Sequence, residues 1–184
     1  MVKKCRYMKR TSDCLGNYTR SCATDAQREA TSLLFSGISR VHKLYCSPGS
    51  RLRDEYAKHI LCLRKTMDDR NRCSGDLKVA LESMTNETTW DQRPGLTCCA
   101  YNRLSSCVRD AIRNHCGSRT VAFLKKMMRT AVSRLPEIIC SGYSSRNDVC
   151  RQLPPPGTEL SGERPPSPLF RLLPRLLPHP DDGF

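Results

Sequence analysis

Twelve cysteines in 184 residues constrain this chain more than any other feature. Thiols at that density serve either metal binding or disulfide cross-linking, and the two leave different spacings. Zinc sites pair cysteines as C-x-x-C or C-x4-C, because two thiolates must reach one ion from one tight turn. Here no two cysteines stand three apart, and the successive gaps are 9, 8, 24, 16, 11, 25, 1, 8, 9, 24 and 10 residues. Such gaps join separate secondary elements, and the even total leaves no obligatory free thiol. Cys5, Cys14, Cys22, Cys46, Cys62, Cys73, Cys98, Cys99, Cys107, Cys116, Cys140 and Cys150 are therefore all expected in disulfides, with no metal ligands among them and no cofactor.

Disulfides persist in oxidising compartments, so the expectation is a secreted protein. Two N-glycosylation acceptors agree, Asn17-Tyr18-Thr19 and Asn86-Glu87-Thr88, each expected on a surface loop. The first ten residues, Met1 to Arg10, carry the charge of a signal n-region with no apolar h-region behind it. The expected true start, with its signal peptide, therefore lies upstream. Mean hydropathy is −0.54, and no apolar run approaches the ~20 residues that cross a bilayer, so no transmembrane segment is expected.

Composition divides the chain into a basic cysteine-containing segment over 1–22, a disulfide-rich helical domain over 23–150 and a proline-rich tail over 151–184. The tail holds nine of the twelve prolines and none of the cysteines, which predicts loosely extended or disordered chain. Within it, Leu169 to Pro178 carries an imperfect Arg-Leu-Leu-Pro repeat whose leucines suit a partner or the domain.

Apolar residues between 23 and 150 recur at helical spacing, and no strand pattern of comparable strength occurs, so the fold class is all-α: a disulfide-stapled bundle of about five helices. Thr24 and Gln27 form a capping box ahead of Ala30, Leu33, Leu34, Ile38, Val41 and Tyr45, and Pro48-Gly49 ends that helix. A second starts after Ser50, and a third covers Asp76 to Thr85. Asp91 to Gly95 reads as a loop. The fourth helix carries Tyr101, Leu104, Val108, Ala111 and Ile112 and stops at Gly117, a ready C-cap. The fifth places Val121, Leu124, Met128, Ala131, Leu135 and Ile138 on its core face, with Pro136 loosening the last turn.

The fourth helix sets a geometric condition. At about 1.5 Å rise per residue, Cys98 and Cys107, or Cys107 and Cys116, lie roughly 13 Å apart, whereas a disulfide needs Cα atoms within about 7 Å. Each must reach a different element, Cys98 and Cys116 on one flank of the apolar stripe and Cys107 on the other. Cys99 points away from the stripe, and Cys98-Cys99 serves two partners. The helix is the expected hub.

Cys98-Cys99-Ala100-Tyr101-Asn102-Arg103-Leu104-Ser105-Ser106-Cys107, then Asn114-His115-Cys116-Gly117, then Ile138-Ile139-Cys140, resembles secreted cysteine-rich helical proteins of arthropods, some grouped with hemolymph glycoproteins of the 27 kDa type. The resemblance spans about Cys14 to Cys150 and implies secretion and a helical fold, with no catalytic residues. A double cysteine opening a helix is also similar to secreted phospholipases A2, but their His-Asp pair and glycine-rich calcium loop have no counterpart around Ala100-Tyr101-Asn102-Arg103.

The tail carries four basic and four acidic residues, so the whole net charge of +13 belongs to residues 1–150. Lys3, Lys4, Arg6, Lys9 and Arg10 concentrate part of it, and Arg109/Arg113 and Lys125/Arg129 stack at one-turn spacing. Contact with a polyanion is open to such a surface; sequence-specific nucleic-acid reading is not, for want of a zinc-finger spacing or ribonucleoprotein motif. None of His42, His59, His115 and His179 sits in a catalytic motif, and Glu55, His59 and Cys62 share a face only as structural residues. The expected function is a secreted, non-enzymatic protein that binds a partner or a small apolar ligand. The alternative is a basic protein acting on polyanions or membrane surfaces, antimicrobial or glycosaminoglycan-binding, with an unrecognised enzyme as third reading.

Overall fold

The computed structural model describes residues 2–159 except 85–87, 90, 133 and 145, and also leaves aside the side chains of residues 2, 26, 27, 30, 31, 33 and 34. The stripe residues Ala30, Leu33 and Leu34, the acceptor Asn86 and the tail beyond Glu159 with His179 thus lie outside what it describes. All regular elements among the described residues are helices: α1 Val2–Cys22, α2 Asp25–Cys46, α3 Arg51–Lys65, α4 Met67–Glu82, α5 Gln92–Val132, α6 Leu135–Ile139 and α7 Asp148–Arg151. The chain is a disulfide-stapled all-α protein, with seven helices among the described residues in place of the expected five or so.

Four differences have local causes. Helix α1 occupies a segment read only as basic, because its inner side is Cys5, Met8, Ser12, Leu15 and Thr19, a stripe with few aliphatics to betray it. Helix α4 starts nine residues before Asp76, with Asp68 and Asp69 in a first turn whose positive end suits them. The expected loop at Asp91 to Gly95 is mostly helix: α5 begins at Gln92, and Pro94 sits in the first turn, where a missing N–H costs no hydrogen bond. The expected fourth and fifth helices are the two parts of α5, broken at Gly117 with φ 75 and ψ 173, a conformation that favours glycine. The second part ends at Val132, and α6 restarts at Leu135 with Pro136 in its first turn.

Contacts divide the chain into two compact units, the first holding residues 1–61 and 122–134, the second 62–121 and those from 135 onward. In the first unit, Cys5–Cys46 ties the start of α1 to the end of α2. Ser50 makes the following turn: its hydroxyl donates to Leu44 O at 2.5 Å and accepts from Arg53 N at 3.0 Å, capping α3. An aromatic cluster fills the interior, Tyr45 edge-on to Tyr56 at 5.7 Å and Phe123 stacked on His59 at 4.7 Å. Lys4 Nζ closes it, 4.8 Å from the Tyr56 ring centre. Buried Gly37 lets α2 meet α5 backbone to backbone, since a Cβ there would lie 1.5 Å from Ala131 O. The core face of the 122–132 segment is consequently turned from the expected one: Phe123 is buried, Leu124 only partly, and Met128 is half exposed. Ile38, placed on the α2 stripe, is also half exposed.

In the second unit the first part of α5 is the hub. Four disulfides leave it for four different segments: Cys62–Cys116 to α3, Cys73–Cys107 to α4, Cys98–Cys140 to the residue after α6, and Cys99–Cys150 to α7. The helix rise makes this divergence compulsory, as the sequence argument requires. The apolar core, however, centres on Leu96, Cys99 and Ala100 with Ala80, Met84 and Leu153, so Cys99 points into it, not away. Tyr101, Leu104 and Val108 are only partly buried.

Candidate functional site

The vicinal cysteines act as the first members of two parallel rows on α5. Cys98 bonds Cys140, and one turn on, Asn102 Nδ2 donates to Cys140 O and Tyr143 O, both at 2.8 Å. One turn earlier stands Gly95, where a Cβ would lie 2.8 Å from Tyr143 Cε1, so the ring rests on bare backbone. In the second row Cys99 bonds Cys150, and Arg103 Nη1, one turn on, donates to Pro154 O. Asn147 caps α7 by accepting from Val149 N at 3.0 Å, and Asp76 accepts from Gly157 N at 2.8 Å. A chain segment with two helices of five and four residues is thereby fixed at both ends.

The clamp holds an apolar ridge outward. Leu135, Ile138 and Ile139 of α6 are 50, 62 and 65% exposed, and α6 buries no side chain at all. This corrects the expectation that Leu135 and Ile138 lie on a core face: the helix that would have carried them inward stops three residues earlier. Tyr101, half-buried on α5, has its hydroxyl pKa raised by burial and then by the charge of Glu137 in α6. Sequence reasoning passed over Asn102 and Arg103; their signal was their place four residues after each of two adjacent cysteines.

Ten of the twelve cysteines are in disulfides, and Cys14 and Cys22, expected there too, are free and exposed. Both lie on α1, where eight residues of helix, about 12 Å of rise, keep them from each other. Among the described residues one triplet gathers potential metal ligands within 4.8 Å, Cys5, His42 and Cys46, but its two sulfurs are bonded at 2.07 Å and have no thiolate to offer. Cys62 is likewise oxidised, and His59 packs in the aromatic cluster with Nε2 3.7 Å from Glu55 Oε1. His115 and Asp69 form a half-exposed pair at 3.0 Å, and Arg72 meets the same carboxylate at 2.7 Å.

Asn17 is exposed on α1, a helix and not the expected loop, and its side chain accepts from Arg20 Nη2. Lys3, Lys4, Arg6, Lys9 and Arg10 are all exposed on the same helix, Lys9 paired with Asp13 at 2.7 Å. Arg109, Arg113, Lys125 and Arg129 are exposed as well. No helix among the described residues is long and apolar enough to cross a membrane. Five disulfides are the chemistry of an oxidising environment. Comparison with protein-family models, curated proteins and solved structures finds no match to this chain.

Proposed function

We propose that this chain is an exported, non-enzymatic interaction protein that docks on a protein partner through the α6 ridge. The observation that carries the reading is a covalently clamped helix with none of its side chains buried and three large aliphatics half or more exposed. Large exposed apolar side chains grouped on one element mark contact surfaces. Completing the burial of each would contribute about 1 to 2 kcal/mol. The disulfide and the Asn102 bonds have already removed the loop entropy that docking would otherwise cost. In an oxidising, extracellular setting the Asn17 and Asn86 acceptors would carry glycans, and no enzymatic chemistry is asked of any residue.

The test is a photo-reactive residue at Ile138 in the secreted chain, irradiated in its native fluid. The expected result is one protein adduct of defined mass, unchanged in 0.5 M salt and lost on Ile139→Glu. Five exposed cations in the first three turns of α1 support a second reading, binding to a polyanionic or anionic membrane surface. Heparin retention that falls steeply with salt and disappears when these five are changed to Gln would establish that reading in place of the first.

A further inference from the structure

Helix α1 carries a second, exposed stripe beside its packed one, the two centred about 100° apart around the helix. Met8, Ser12, Leu15 and Thr19 are half-buried, whereas Tyr7, Cys14, Tyr18 and Cys22 face solvent, Tyr7 63% and Tyr18 45% exposed. Cys14, Tyr18 and Cys22 follow one another at four-residue steps and so fall within about 80° of one face, with Tyr18 midway between the thiols. The ten other cysteines are oxidised. Whatever environment oxidised them also meets these two, which are exposed and held apart by the helix.

We propose that this face joins a second copy of the chain, in a two-fold dimer whose α1 helices run antiparallel and are linked by two disulfides, Cys14 of each chain to Cys22 of its partner. A two-fold axis beside Tyr18 brings both pairs into register at once, because the same eight-residue interval separates the thiols on both helices, and it sets the two Tyr18 rings against each other. The antiparallel sense follows from charge. A parallel pairing would put Lys3, Lys4, Arg6, Lys9 and Arg10 beside their own copies, whereas the antiparallel one sends the two basic ends in opposite directions. Each bond forms from two thiols with release of two protons and two electrons. A disulfide oxidant such as oxidised glutathione takes these up and becomes two thiols.

Trypsin cleaves after Arg10, Arg20 and Arg28, so the two thiols fall in separate peptides. The purified chain, treated with oxidised glutathione, is expected to double its intact mass from 20.9 kDa under non-reducing conditions and to yield the Cys14 peptide joined to the Cys22 peptide. Cys14→Ser and Cys22→Ser are each expected to stay monomeric, and an equimolar mixture of the two to give a covalent heterodimer joined by one bond. The remaining disulfides, mapped in the same digest, confirm that each variant is folded. Three results overturn the proposal: a monomer in which Cys14 is joined to Cys22 of its own chain, single variants that dimerise as fully as the mixture, or a wild-type chain that remains monomeric with both thiols blocked by glutathione.

Discussion

The two units are built on opposite economies of chain. The second has four disulfides within it; the first has one, together with two unpaired thiols. The first is made mainly from helices of 15 to 22 residues, long enough to present continuous faces, and aromatic stacking plus the Gly37 crossing hold it. The second must secure α6 and α7, of five and four residues, which in isolation would not form because nucleating a helix costs more than so few hydrogen bonds return. Two of its four ties, Cys98–Cys140 and Cys99–Cys150, hold this short-helix segment, while Cys62–Cys116 and Cys73–Cys107 join longer helices to one another.

Removing one tie of comparable span from each unit tests this most severely. Cys99→Ala/Cys150→Ala opens a loop of 51 residues and Cys5→Ala/Cys46→Ala one of 41, so chain entropy alone assigns about 4 kcal/mol to each. Hydrogen exchange is expected to separate them: residues 148–153 lose protection in the first variant, while α1 and α2 retain most of theirs in the second. Equal loss in both would break the contrast.

Phe123→Ala probes the aromatic cluster that stands in for disulfides in the first unit. Phe123 is 8% exposed and stacked on His59, and its truncation is expected to cost about 3 to 4 kcal/mol in denaturant unfolding. A loss below about 1 kcal/mol would mean that packing does not hold this unit.

Asn102→Ala is smaller and more local. Two hydrogen bonds to the 140–143 segment disappear while the Cys98–Cys140 bond remains, for an expected loss of about 1 to 2 kcal/mol. The accompanying rise in exchange should be confined to residues 140–143. A rise spreading into α4 would show that the clamp is part of the core and not a holder of the ridge.

The smallest effect is electrostatic. Burial and the Glu137 charge raise the Tyr101 pKa above 10, so the stability linked to its neutral form is complete below pH 10 and is lost as pH climbs through the raised value. In a titration followed by tyrosinate absorbance, Tyr101→Phe should remove a component that titrates above pH 10, and Glu137→Gln should move that component part of the way back. No change above pH 10 with Tyr101→Phe would show that Tyr101 does not carry the raised titration.

Helix class, the end of α2, the start of α3, the break at Gly117 and the divergence of four bridges from one helix are all written in local pattern. They follow from helical periodicity, from Pro48-Gly49 and Gly117, and from the rise that keeps Cys98, Cys107 and Cys116 apart. Helix α1 and the early start of α4 escaped that reading because their inner faces carry few aliphatics, Cys5, Met8, Ser12, Leu15 and Thr19 on α1 and Asp69, Arg70 and Cys73 on α4, which leaves little hydropathy contrast. The sequence made twelve thiols available, but which ten pair depended on which segments meet. Cys14 and Cys22 find no partner within the chain because α1 turns them to solvent, while Cys5 on the same helix meets Cys46. Likewise an apolar stripe through Leu135 and Ile138 shows only that those positions are apolar. That they stand outward, clamped by Asn102 and Cys98, was decided by contacts about 40 residues apart in the chain, which no local periodicity encodes.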